Sequence, residues 1–172
     1  MGRIHFYSEG ISFDLKDKRL YRQWISSTAA EYGFIVGEIS VVFVSDEHLL
    51  EMNRTYLQHD YYTDIITFDY SAGGDSQEDP DFSALDAGKE KELDAPNPKG
   101  VLTLSGDLFI SLDRVRDNAS KNQISLQNEL QRVVIHGVLH LCGLKDKEKR
   151  EVEIMRKAEE NALSKFPQKT KK

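Results

Sequence analysis

The sequence predicts an α/β (α+β) protein: a small central mixed sheet of about four strands packed with about five helices, one of which, near the C-terminus, carries two histidines. Three observations predict it. Runs of β-branched residues alternate with helical periodicities through the first two-thirds of the chain. From Asp113 almost to the end the periodicity is helical throughout. A chain of 172 residues suits one domain with its own core; we place that domain at 1–166 and a frayed tail at 167–172.

Taken in order, "RIHFYSEG" alternates apolar and polar residues and predicts a first strand. "DKRLYRQWISSTAAEYG" sets Leu20, Trp24, Ile25 and Ala29 along one face and stops at Gly33, a helix with a glycine stop. "EISVVFVS" predicts a second strand. "SDEHLLEMNRTYL" predicts a helix with Ser45 as N-cap, Asp46 and Glu47 facing its positive end. "TDIITFDY" and "GVLTLSGDLFIS" predict the remaining strands. "DRVRDNASKN", "SLQNELQRVVIHGVLHLCG" and "DKEKREVEIMRKAEENALSKF" predict three closing helices, the last ended by Pro167. Leu126, Leu130, Val133, Val134, Val138 and Leu141 form the expected inward face of the middle one.

Between the last two strands lies a polar, acidic loop at 71–99. Asp75, Glu78, Asp79, Asp81, Asp86, Glu90, Glu92 and Asp94 outweigh Lys89, Lys91 and Lys99, and Gly73, Gly74, Pro80, Pro96 and Pro98 break any periodicity. Loops this long are uncommon. Its composition favours a solvated excursion over a lid. The net charge of −6 argues against a chain that is basic all over, but a phosphate backbone responds to the local field rather than to the sum. The single cysteine, Cys142, excludes an internal disulfide and is expected in the core. The N-terminus has no signal-peptide pattern and no apolar run is long enough to span a membrane, so the expected location is cytoplasmic, with no membrane partner.

The chemistry is concentrated in "HGVLHLCGLKD", His136 to Asp146. Residues four apart lie on one helix face, so His136 and His140 can reach one ion. Such a pair also occurs as an ordinary hydrogen-bonded pair at a core edge. Gly143 breaks the helix and turns the chain, returning Asp146 towards the pair as a third ligand. A fourth vertex left to water is what a catalytic zinc site needs. A zinc peptidase of the H-E-x-x-H kind carries its general base directly after the first histidine. Gly137 stands there, which disfavours that route.

"HGVLHLCGLKD" resembles the H-G-x-L-H-L-x-G-x-x-H signature of the YbeY family of metal-dependent endoribonucleases. "MNRTYLQHDYYTDIITF", Met52 to Phe68, and "LSGDLFIS", Leu104 to Ser111, are similar to two further family segments and occur in the family's order. The resemblance implies a small α/β fold, one Zn2+ per chain, and a single-strand-specific endoribonuclease in ribosomal RNA maturation (16S rRNA 3′ end processing) and ribosome quality control. It implies ribosomal RNA, the small ribosomal subunit and ribosome-associated proteins as partners. The metal ligands fall on His136, His140 and Asp146, with Asp146 where the family has a third histidine. The family's Arg after Tyr falls on Leu57; His59 and Arg54 are nearby substitutes, although Arg54 more simply faces solvent. No catalytic side chain is assigned beyond water on the three ligands, because RNA carries its own nucleophile, the 2′-hydroxyl.

For RNA binding the sequence offers Arg114, Arg116 and Lys121 after the "LSGD" strand and Arg132 on the histidine helix, with Tyr61 and Tyr62 as stacking candidates. Ser105, Asp107, Thr63, Asp64 and Thr67 read either as cleft-lining or, more simply, as structural. Lys145 and Lys147 flank Asp146. Two rival functions remain: a non-catalytic ribosome assembly factor with a structural metal, and a metal hydrolase acting on another substrate. A fourth protein ligand would favour the assembly factor.

Overall fold

A computed structural model describes residues 2–71 and 102–168. Among them are four strands and five helices, in the order β1 (Arg3–Ser8), α1 (Lys18–Glu31), β2 (Phe34–Val44), α2 (Asp46–Leu57), β3 (Ile65–Asp69), β4 (Leu102–Ser111), α3 (Leu112–Lys121), α4 (Leu126–Leu141) and α5 (Lys149–Ser164). The acidic loop expected at 71–99 lies outside the described residues apart from Ser71, and of the expected tail only Pro167 and Gln168 are described.

The strands form one mixed sheet in the order β1-β2-β4-β3. β1, β2 and β4 run parallel, and β3 pairs antiparallel with β4 at the edge. Alternation along β2 assigns its faces. Val41 and Phe43 enter the main core with Trp24 and Ile25 of α1 and Val133, Val134 and Val138 of α4. Val42 and Val44 pack on the opposite face with Leu49 of α2 and Ile66 of β3. Burying side chains of this size contributes about 1.5–3 kcal/mol each, so the layering follows from the two apolar stripes.

Local signals act as expected at most ends. The Ser45 hydroxyl accepts from the His48 N–H at the start of α2. Gly33, with φ +83, follows the last turn of α1. Two details differ from the sequence reading. β2 begins at Phe34 rather than near Glu38, its register against β4 shifting between Val36 and Ile39. Gly37 sits in that irregularity, where a Cβ would meet Ser105 Oγ at 2.5 Å. Leu126, expected to face inward, is 37% exposed, because it opens α4 ahead of the turns that meet the sheet.

α4 is the element that positions the site. It lies against β3 and β4 so closely that a Cβ on Gly137 would stand 2.6 Å from Ile65 Cδ1 and 3.0 Å from Leu108 Cδ2. α5 is fastened independently: Trp24 Nε1 donates to the Ala162 carbonyl at 2.7 Å, and Phe166 packs edge-on against Tyr21 and Trp24.

Candidate metal centre

With Gly137, Val138 and Leu141 turned to the sheet, the same helix leaves His136 and His140 half-buried on the side facing the chain's return. α4 ends in a tight glycine turn. The Gly143 N–H donates to the His140 carbonyl and the Leu144 N–H to the Leu139 carbonyl, with Gly143 at φ +102. These are the two bonds of a Schellman stop. Nothing lies within 4 Å of a Cβ built on Gly143, so the constraint there is conformational rather than steric. Gly143→Ala is therefore expected to cost about 1–2 kcal/mol, lowering Tm by roughly 2–8 °C; an unchanged thermal melt would refute it.

The turn does two things for the histidines. It presents the Leu144 carbonyl to His140 Nδ1 at 2.9 Å. It also returns Asp146, whose Oδ2 stands 3.3 Å from both His136 Nε2 and His140 Nε2. The two Nε2 atoms are 3.0 Å apart. His136 Nδ1 in turn meets Glu159 Oε1 of α5 at 3.1 Å. Both partners of the Nδ1 atoms, a carboxylate and a carbonyl, are acceptors only, so each neutral ring carries its proton on Nδ1 and its lone pair on Nε2. Two imidazole lone pairs and a carboxylate oxygen then converge, an arrangement that repels itself unless a cation or a proton stands between them.

The spacing suits an ion. A metal about 2.0–2.1 Å from each of three tetrahedral ligands sets them about 3.3 Å apart, close to the separations found. Among the described residues the cluster of candidate ligands has these three members. The two imidazoles respond to their surroundings in opposite directions. Burial opposes a charge on His136, but the hydrogen bond and charge of Glu159, with Asp146 and Asp64, outweigh it and raise its pKa. Burial, followed by the charge on His136, lowers that of His140.

Asp146 is not the cap of α5. Glu148 occupies the N-cap, and Glu151 Oε2 accepts from the N–H groups of Lys147 and Glu148. The Asp146 carboxylate thus faces the histidines without a competing helix-capping role.

The remaining site candidates lie in several places. Arg132 is one turn before His136, its guanidinium engaged by Glu129, by Glu159 at 3.1 Å and by Asp64 at 3.4 Å. Arg114 pairs with Asp46 at 3.0 Å and lies over the Tyr62 ring. Arg116 is exposed on α3, and Lys121 pairs with Asp117 at 2.8 Å. Tyr61 and Tyr62 are exposed, Tyr61 stacking on His59. Leu57 packs against the apolar cluster around Leu49, and Arg54 pairs with Asp60. Ser105 Oγ accepts from the Glu38 N–H, Thr63 donates to the Ile65 carbonyl, and Asp107 accepts from the Tyr70 hydroxyl. Lys145 and Lys147 are exposed beside Asp146.

Sequence reasoning missed Glu129 and Glu159, which are 1% and 7% exposed. A signal was present for the second. Met155, Glu159 and Ala162 share the buried face of α5, and a carboxylate at an apolar position of a helix asks for a partner.

Cys142 is half-buried at the end of α4 and is not a member of the candidate-ligand cluster. Burial, helped by Asp69, pushes its thiol up to about 12. The sign is toward the protonated thiol, which is not the nucleophile. Alkylation by iodoacetamide at pH 8 is expected to run far slower in the folded protein than after unfolding in urea. Equal rates in the two states would refute it.

Fold and site together define the class: a mixed α/β protein with a cluster of two histidines and one carboxylate spaced so that it could hold a metal ion, at the end of a helix packed on the sheet. A family model described as Endoribonuclease YbeY matches residues 3–167, and the chain belongs to that family. It is 44% identical over 163 residues to "Endoribonuclease YbeY" of Porphyromonas gingivalis, covering 95% of this chain and 89% of that protein. It is 45% identical over 161 residues to the protein of the same name from Bacteroides thetaiotaomicron, covering 94% and 97%. The solution structure of a Thermotoga maritima protein shares the fold, with a TM-score of 0.52 at 22% identity, covering 95% of this chain and 91% of that one.

Proposed function

We propose that this chain is a zinc-dependent, single-strand-specific endoribonuclease. In this reading one zinc ion is held by His136 Nε2, His140 Nε2 and Asp146 Oδ2. Its substrate is ribosomal RNA in the small subunit, at the 16S 3′ end, in maturation and ribosome quality control in the cytoplasm. The observation that carries the metal is the convergence of three lone-pair atoms within 3.0–3.3 Å while both Nδ1 atoms face acceptors. Local charge supports it. The carboxylates of Glu159, Asp146 and Asp64 lie close enough to His136 to favour positive charge there, which a divalent cation supplies. The names of the curated relatives support RNA as the substrate.

Held there, the ion would supply a Lewis acid able to polarise a phosphoryl oxygen or to make water more acidic. The chain's own residues do the rest. Glu159 and the Leu144 carbonyl hold the Nδ1 protons and fix both rings. Gly137 faces Ile65 and Leu108, so this helix brings no general base after its first histidine. RNA does not need one from that position, because its 2′-hydroxyl is an internal nucleophile. Arg116 and Lys121, with Arg114 and Arg132 more deeply engaged by carboxylates, supply cations for the phosphate backbone, and Tyr61 and Tyr62 supply exposed faces for bases.

One observation favours the assembly-factor reading. Leu57, which stands where the resemblance expects a cationic side chain, is packed among apolar neighbours. A single experiment separates the two. Elemental analysis of purified protein is expected to give one zinc per chain, and a single-stranded ribosomal RNA fragment is expected to be cut, to resist cutting after chelation, and to be cut again on adding zinc back. Bound zinc without cleavage of any single-stranded RNA would favour the assembly factor.

A further inference from the structure

We propose that Glu159 and Arg132 are positioning residues for the metal ligand His136, an inference that rests on the metal reading above and adds to it the groups that aim the ligand. Glu159 sits at a buried position of α5 between Met155 and Ala162. A carboxylate taken from water costs several kcal/mol unless it is paired and hydrogen-bonded. Its Oε1 receives two donors, Arg132 Nη1 and His136 Nδ1, each at 3.1 Å. Arg132 and His136 are four apart on α4, so they lie on one face of the helix and converge on the same oxygen.

Arg132 is itself fixed from the other side. Its Nε donates to both oxygens of Glu129 at 3.1 Å and its Nη2 to Glu129 Oε1 at 2.6 Å. Its Nη2 also reaches Asp64 Oδ2, just ahead of β3, at 3.4 Å. A relay therefore runs from β3 through the guanidinium to Glu159 and ends on one ring nitrogen. The last link does the chemical work. A carboxylate on Nδ1 fixes the tautomer and raises the donor strength of Nε2 towards a metal. His140 has only the weaker backbone carbonyl of Leu144 in that role, so His136 becomes the stronger of the two imidazole ligands.

A purely structural role is the rival, in which Arg132 and Glu159 only pin α5 to α4. The fold makes that role less pressing, because Trp24 and Phe166 already fasten α5. Glu159→Gln keeps the size and removes the charge. Phe166→Leu loosens the packing that fastens α5 on Tyr21 and Trp24 and touches neither Arg132, Glu159 nor His136. Zinc affinity of the full chain, measured by competition with a chromophoric chelator, is expected to fall about 10–100-fold in Glu159→Gln and to stay at the wild-type value in Phe166→Leu, even where the thermal melt of Phe166→Leu is lowered. The visible spectrum of the cobalt-substituted protein is expected to change in Glu159→Gln alone. Wild-type zinc affinity in a folded Glu159→Gln, or equal weakening in both variants in proportion to lost stability, overturns the proposal and leaves the metal reading standing. Wild-type protein that takes up no zinc overturns both.

Should Glu159→Gln not fold, the zinc-loaded wild type decides by ring nitrogen–proton correlation. The His136 Nδ1 proton is expected downfield and slow to exchange. A fast-exchanging proton there overturns the proposal.

Discussion

His136→Ala is expected to purify without stoichiometric zinc and to cut single-stranded RNA no faster than background, while keeping its fold. The ring contributes one of three candidate ligand atoms that lie within 4.8 Å of one another, and the two that remain would not make a closed set for zinc. His136 is half-buried and lies outside the apolar core cluster, so its loss leaves the core of α4 intact. Asp146→Ala tests the same centre from the other side of the glycine turn and is expected to lose most zinc affinity and activity. Because Glu148 and Glu151 cap α5, removal of Asp146 forfeits no helix cap, whose loss would cost about 1 kcal/mol. Its metal-free Tm is therefore expected to match that of the metal-free wild type. Full zinc occupancy in either variant, measured by elemental analysis, would remove that residue from the centre. Asp146→His is expected to keep zinc, since imidazole is an equally competent ligand at that distance.

The parts of this molecule legible in the sequence are those governed by short-range periodicity. β-branched runs, the Ser45 cap and the glycine stops at Gly33 and Gly143 each act within a few residues, and the strands and helices they signal are present, although β2 starts earlier than its signal. The convergence of His136, His140 and Asp146 belongs to the same class, because the three span one helical turn and one glycine turn. What the sequence hid depends on partners far along the chain. The sequence offers Arg132 only as a cation for RNA, and does not show that the fold also brings it Glu159, 27 positions away, and Asp64, 68 away. Phe34 to Gly37 read as no element because their strand character comes from pairing with β4 across a register shift. Leu126 fits the apolar period of α4, yet it precedes the segment that the sheet covers.

Gly137→Glu, which would recreate the peptidase pattern of a glutamate after the first histidine, is expected to abolish folding rather than to create a peptidase. The position reads in the sequence only as the absence of a base, whereas the structure gives it a direction. Its Cβ would point at Ile65 Cδ1, 2.6 Å away, and at both Leu108 methyls, 3.0 and 3.2 Å away. A glutamate must then either carry its carboxylate into the layer between α4 and the sheet or lever the helix off β3 and β4. Burying an unpaired carboxylate and overpacking the core are both among the few single changes that exceed about 4–5 kcal/mol, and total stability for a domain is about 5–15 kcal/mol. Gly137→Ala separates direction from crowding. Its nearest contacts are the ends of flexible side chains, so overpacking costs about 1–3 kcal/mol, partly offset by the better helix propensity of alanine, about 1 kcal/mol. That variant is expected to fold with a modestly lowered Tm and to bind zinc with wild-type stoichiometry. Circular dichroism and soluble yield measure the first variant, thermal melting and elemental analysis the second. A folded Gly137→Glu protein with wild-type Tm would mean that position 137 faces solvent or the metal centre, and the close seating of α4 on the sheet would have to be abandoned.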